Sequence, residues 1–199
     1  MLVVSHISKS FRTKKVLDDI SFAIKPGTLN GIIGENGTGK TTLLRIITGE
    51  ISADKGSVQI KARMGYSPQE LIIFPMLTVE ENFMYFAAAY GMKDKDAWRK
   101  RMNMLLQQFG FKEYAFHRVN SLSGGTKQKL NLSLALLHDP VILILDESYG
   151  GFDRDTFQHF WDYTLQLRSE GKSILLVTHF LSNLEIFDEV FELKKGKIA

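Results

Sequence analysis

The sequence predicts an α/β protein built on a parallel sheet, and three apolar segments with polar ends predict it. "TLNGIIG" runs into "GENGTGKTT" and on into the helical pattern "KTTLLRIITGE". "VILILDE" is a five-residue apolar run closed by two acids, as expected of a strand buried on both faces. "KSILLVTH" repeats that design with another polar end. Short strands alternating with helices imply crossover connections and hence parallel pairing. Ligands of such sheets bind outside the carboxyl ends of the strands, so all three segments aim their polar ends at one place.

In chain order, "LVVSHISKSFRTKKVLDDISFAI" reads as a pair of alternating strands forming an antiparallel β subdomain. The strand, glycine-rich loop and helix around Gly34–Thr42 follow. "SVQI" then leads almost directly to "MGYSPQ", which leaves little chain between Lys40 and Gln69. "LTVEENFMYFAAAYG" carries a capping box, Thr78 with Glu81, and sets Val79, Phe83, Phe86 and Tyr90 on one helical face. A second helix, Asp96 to Phe109, aligns Trp98, Met102, Leu105, Leu106 and Phe109, and Gly110 ends it. Residues from about 76 to 122 are therefore expected to form a helical subdomain inserted into a single domain spanning 1–199. "NSLSGGTKQKL" supplies a flexible turn and a new helix start, whose unpaired amides suit an anion. "GENGTGKTT" already supplies a stronger phosphate cradle, so the chain carries two.

Composition narrows the function classes. A chain of 199 residues with 44% hydrophobic and 24% charged side chains matches an ordinary globular domain, ample for a buried core. The net charge of only +3 is a weak argument for nucleic acid, so no nucleic-acid partner is expected. The absence of cysteine excludes disulfides and thiolate metal sites. The five histidines show no metal-ligand spacing. No apolar run approaches the roughly 20 residues that span a bilayer, and "MLVVSHISKSF" is not a secretory signal. A cytoplasmic location follows as the expectation.

Gly34 to Thr41 fits G-x-x-x-x-G-K-[ST] between a strand and a helix. In such a loop Gly34, Asn36, Gly37, Thr38 and Gly39 turn backbone amides toward phosphate oxygens. Lys40 neutralises β/γ charge, the Thr41 hydroxyl binds Mg²⁺, and Thr42 is placed for the α-phosphate. Asp146 closes its apolar strand where a carboxylate can hold the hydration shell of Mg²⁺. Glu147, one residue on, could polarise an attacking water. His179 ends "ILLVTH" and could donate to a γ-phosphate. Gln69, after "GYSP", could sense either the water or the metal.

These pieces together resemble the ATP-binding cassette (ABC) family over nearly the whole chain, in the same motif order. "SLSGGTKQKL" looks like the family signature, "GYSPQ" like its glutamine loop, "YGGFD" like the loop ending in Asp153, and "VTH" like its switch histidine. Phe11 stands where the family places an aromatic that stacks on adenine. The resemblance implies a P-loop NTPase core with antiparallel and helical subdomains, and ATP with Mg²⁺ as ligands. It implies that Ser123, Gly124 and Gly125 serve the γ-phosphate of an ATP held by a second copy or a homologous subunit, which accounts for the two cradles. "LTVEENFMYFAAAYG" and "LSLALLHDPVILILDE" resemble bacterial exporter ATPases. Those work with a separate transmembrane permease, so the chain would lie peripherally on the inner face of the cell membrane. The cargo is not encoded. The alternative within the family is a soluble ATPase acting on nucleic acid or ribosomes.

Three departures from the family pattern bear on the site. Thr126 replaces a glutamine, at a position past the amides that face phosphate, where tolerance is expected. Ser148 replaces a proline, and "SYGG" is expected to loosen the loop that places Glu147 and Asp153. The short passage from Lys40 to Gln69 implies a trimmed antiparallel subdomain. Of the aromatics Phe74, Phe83, Tyr85, Phe86 and Tyr90, much is expected to be core, with the remainder available to line a groove for a permease helix. The run "KDKDAWRKR" reads as a solvated helix face.

Overall fold

A computed structural model of the protein describes residues 1–178 and 184–199. They form two compact units, one of 1–66, 141–146 and 166–199, the other of 67–140 and 147–165.

The first unit carries the strands, apart from Ser67, the last residue of the fifth strand, which belongs to the second. These are β1 (Leu2–Phe11), β2 (Lys14–Ile24), β3 (Leu29–Ile33), β4 (Lys55–Ile60), β5 (Met64–Ser67), β6 (Ile142–Asp146), β7 (Ser173–Thr178), β8 (Glu189–Lys194) and β9 (Lys197–Ile198). Helix α1 (Lys40–Ile47) follows β3. The expected pair β1 and β2 is antiparallel and gains a third member, giving the order β2-β1-β4. The second sheet runs β5-β6-β7-β3-β8-β9. Within it β6, β7, β3 and β8 are parallel neighbours, and β9 returns antiparallel to β8. Every residue of β3, β6 and β7 is buried, which explains why their sequences are near-continuous apolar runs rather than alternating ones. Leu17, Ile20 and Ile24 from β2, Leu43, Leu44 and Ile47 from α1, and Ile142 and Ile144 from β6 share one core.

Register fixes the functional edge of this sheet. Ile33 pairs with Thr178 and Asp146 with Val177, so β3, β6 and β7 end side by side. The glycine loop leaves from that edge, where Asp146 also ends β6.

The second unit carries α2 (Val79–Ala89), α3 (Lys95–Gln108), α4 (Gly124–Leu136) and most of α5 (Arg154–Ser169). The capping box at α2 forms as expected. Glu81 N–H donates to Thr78 Oγ1 at 3.1 Å, and Thr78 N–H donates to Glu81 Oε2 at 2.7 Å. Asp94 caps α3 one residue earlier than the pattern suggested, accepting from the amides of Asp96 and Ala97. Gly110, at φ 64°, closes α3: its N–H reaches the Gln107 carbonyl while Phe111 N–H reaches that of Leu106. Trp98, Met102, Leu105, Leu106 and Phe109 are all buried.

The apolar face of α2 needs correction. Its buried residues are Val79, Asn82, Phe83 and Ala87, whereas Phe86 is half-buried and Tyr90 exposed. The i, i+4, i+8 row turns Val79, Phe83 and Ala87 inward, leaving Phe86 and Tyr90 on its flank. There they join a chain of rings on the surface: Phe74 lies 4.4 Å from Tyr85, Tyr85 5.6 Å from Phe86, and Phe86 6.1 Å from Tyr90, centroid to centroid. Of the five aromatics only Phe83 is fully buried. The basic residues of α3 are partly paired, Arg99 with Glu80 and Arg101 with Asp139.

Candidate functional site

The loop after β3 needs its glycines for space as well as flexibility. A Cβ on Gly34 would lie 2.4 Å from the Leu193 carbonyl oxygen. One on Gly39, whose φ is 108°, would lie 2.9 Å from Leu17 Cδ2. The loop is cinched by Thr38, whose hydroxyl donates to the Glu35 carbonyl at 2.8 Å. Lys40 opens α1, is buried, and turns its ammonium back along the loop, donating to the carbonyls of Gly34 at 2.6 Å and Glu35 at 3.0 Å. Asn36 and Gly37 are exposed at the tip, and Thr41 and Thr42 lie on the first turn of the helix. This is a curved run of backbone with a cation at its base, suited to a chain of phosphates.

Asp146 is buried at the end of β6. Burial first, and then the Asp146 carboxylate, hold the Tyr66 phenol above its usual value. Phe11, at the end of β1, is 48% exposed, with Lys9 Nζ 5.6 Å from its ring centroid. An open aromatic face of this kind can stack a base. His179 lies outside the described residues.

In the second unit, Gln69 Nε2 donates to Glu147 Oε2 at 3.3 Å. Glu147 adopts φ 48°, a left-handed conformation that a non-glycine residue holds only when its surroundings enforce it. Those surroundings overturn the expected loosening of "SYGG". Ser148 is fully buried and donates from its hydroxyl to the Ser67 carbonyl at 2.8 Å. Tyr149 is buried against Phe157 and Phe160. The Gly150 amide donates to the Glu147 carbonyl at 3.1 Å. A Cβ on Gly125 would sit 2.9 Å from the Gly151 carbonyl oxygen, so that loop also lies against the start of α4.

Ser123 is the N-cap of α4. Its Oγ accepts from the Thr126 N–H at 3.2 Å and shares a second hydrogen bond, 2.9 Å, with the Thr126 hydroxyl. Thr126 is therefore a direct partner of Ser123 rather than a bystander. Gly124 has open space where a side chain would stand. Asp153 caps α5, its carboxylate accepting from the Thr156 N–H at 2.8 Å. That amide, then the Thr156 hydroxyl, with Lys129 adding its charge, hold the Asp153 carboxyl below its ordinary range.

Residues 17–150 match the protein-family model described as ABC transporter. The chain belongs to that family. As an ABC ATPase it is 37% identical over 195 residues to an uncharacterised ABC transporter ATP-binding protein of Methanocaldococcus jannaschii, covering 98% of this chain and 74% of that one. It is 30% identical over 211 residues to the linearmycin resistance ATP-binding protein LnrL of Bacillus subtilis, covering 100% of this chain and 68% of that one. A solved ATP-binding cassette, described as a dimer in a post-hydrolysis state bound to ADP and Pi, superposes with a TM-score of 0.90 at 25% identity. That likeness covers 100% of this chain and 96% of the cassette chain.

Sequence reasoning missed the polar residues that hold the Gln69 segment. Asn131 of α4 is buried, donates from Nδ2 to Ser67 Oγ and the Pro68 carbonyl, and accepts the Ile72 N–H. Asn82 of α2 is fully buried and brackets Phe74, accepting its N–H and donating to its carbonyl. The available signal was an amide-bearing side chain inside an otherwise apolar helix stretch, "KLNLSLALL".

Proposed function

We propose that the chain binds MgATP, closes on it with a second copy or a homologous ATPase subunit, and hydrolyses it to drive export through a separate transmembrane permease. It would act as one nucleotide-binding domain, 1–199, with a helical subdomain near 76–122, held peripherally on the inner membrane face. The observation that carries the reading is the Lys40 loop at the end of β3, with Asp146 ending β6 on the same edge of the parallel sheet.

The residues present fit the ligands. Without a Cβ at Gly34 and Gly39 the loop packs closely on Leu193 and Leu17, and Lys40 exchanges its two carbonyl partners for β/γ oxygens. Gly34, Asn36, Gly37, Thr38, Gly39 and Thr42 complete the cradle, and Phe11 stacks on adenine. Thr41, Asp146 and Gln69 are the oxygen donors that would hold Mg²⁺, a hard cation that keeps several waters and takes few carboxylates. Bound there, it would offset charge on the β- and γ-phosphates. Glu147 takes the proton of the attacking water, Gln69 orients Glu147, and His179 donates to the γ-phosphate. Ser123, Gly124 and Gly125 act on the nucleotide of the other copy, and Asp153, which caps α5, joins the nucleotide-binding set.

Support for the partners comes from the comparisons and the surface. The solved cassette with a similar fold is dimeric, and the Bacillus relative is named for linearmycin resistance. No helix among the described residues is long and apolar enough to cross a membrane, and the reading assigns the pathway to the permease. Phe74, Met84, Tyr85 and Tyr90, all exposed, offer an apolar seat for one of its helices. The test is phosphate release by the purified chain, with and without Mg²⁺, alone and with a candidate transmembrane permease in lipid vesicles. Mg²⁺-dependent release stimulated by that protein is expected. Absence of release from folded chain under both conditions contradicts the reading.

A further inference from the structure

We infer that Ser148 is a positioning residue for hydrolysis, tying the loop that carries Glu147 to the segment that carries Gln69. The inference rests on the assignment of Glu147 as general base. Two hydrogen bonds join these stretches side by side. One is the exposed contact from Gln69 to Glu147 at 3.3 Å, and the other is the buried bond from Ser148 Oγ to the Ser67 carbonyl at 2.8 Å. Ser148 directly follows Glu147, and Ser67 stands two residues before Gln69.

The two bonds differ in strength. The outer one is long and open to water, which competes for both side chains. The inner one is short and sits where Ser148 and Ser67 are both fully buried, so neither group has water as an alternative. The Gln69 segment is itself anchored, since Asn131 grips Ser67, Pro68 and Ile72 on both sides of Gln69. Ser148 therefore fixes the Glu147 loop against a fixed support. Glu147 itself holds a left-handed φ of 48°, a conformation that depends on the packing around it. A general base displaced from its water loses rate steeply, while nucleotide binding depends on the Lys40 loop and is unaffected.

The experiment measures kcat, ATP affinity and thermal melting for Ser148→Ala, Glu147→Gln and the double variant. Ser148→Ala is expected to lower kcat by about tenfold with ATP affinity within about twofold. In the Glu147→Gln background the same substitution is expected to change the residual rate by less than about twofold, because there is no base left to position. A full-rate Ser148→Ala, or a further tenfold loss in the double variant, overturns the inference while leaving the base assignment intact. A full-rate Glu147→Gln overturns the base assignment, and the inference with it. Should Ser148→Ala not fold, Ser148→Cys replaces it with a similar size and a weak donor. It is expected to lose kcat several-fold, and full-rate hydrolysis by that variant overturns the inference.

Discussion

Gln69 donates to Glu147 across 3.3 Å, although the two residues are 78 positions apart in the chain. A neutral amide donor on one carboxylate oxygen orients the side chain without adding a charge, which suits the general-base role proposed for Glu147. Glu147→Gln should keep ATP affinity and slow hydrolysis by about 10²–10³, the scale of losing a general base. With ATP persisting, the variant should accumulate as an ATP-dependent dimer, followed by single-turnover phosphate release and light scattering. Normal turnover would place the base elsewhere.

Lys40→Ala should remove most ATP binding. The ammonium is the buried cation of the loop, and its loss should weaken affinity by roughly 2–4 kcal/mol, as for a charge-assisted contact in a closed phosphate site. Calorimetry measures it, and near-native affinity would contradict the loop's assignment.

Asn131→Leu should destabilise the fold by roughly 2–3 kcal/mol in urea unfolding. The apolar replacement leaves the buried Ser67 Oγ and Pro68 carbonyl, and the part-buried Ile72 N–H, without their partner. A variant as stable as the parent would mean that these groups find other partners.

The Asp153 carboxyl titrates below its ordinary range when folded, because the Thr156 amide bonds its charged form. The unfolded chain therefore binds more protons in the window just below the ordinary value of about 3.9, and stability falls with pH there. Asp153→Asn keeps a capping side chain but removes the charge. The stability gap between parent and variant should be constant above that value and shrink as pH falls through and below it. A gap that stays constant down to the acid transition would show that the charge contributes nothing.

The sheet was legible because buried parallel strands must be apolar, so "VILILDE" and "KSILLVTH" announced β6 and β7 and their polar ends. The capping box announced α2, and the motif order announced the family. The buried polar clamps were not legible. Asn131, Ser67 and Ser148 are far apart in sequence, and only folding reveals that each satisfies another. Reading Ser148 and its glycine neighbours by local flexibility alone gave a loose loop, whereas a tertiary hydrogen bond and the burial of Tyr149 make it a held one. Tyr90 was misplaced for a related reason: helical spacing set it on a face, and the helix turned its Val79–Phe83–Ala87 row inward instead.

The central claim is that the two phosphate cradles of one chain serve two different nucleotides, and mixing two defective chains tests it most directly. Lys40→Ala disables one cradle. Gly124→Asp disables the other by like-charge repulsion, and there is open space for the new side chain, unlike at Gly125, where a Cβ would meet the Gly151 carbonyl. Each variant alone forms no intact site. A mixed pair holds one site with both lesions and one with neither. Phosphate release at equal mixing should recover to roughly a quarter of the parent rate, since about half of the pairs are mixed and each has one intact site. No recovery from pairs shown to be mixed, or full activity in Gly124→Asp alone, would contradict the claim.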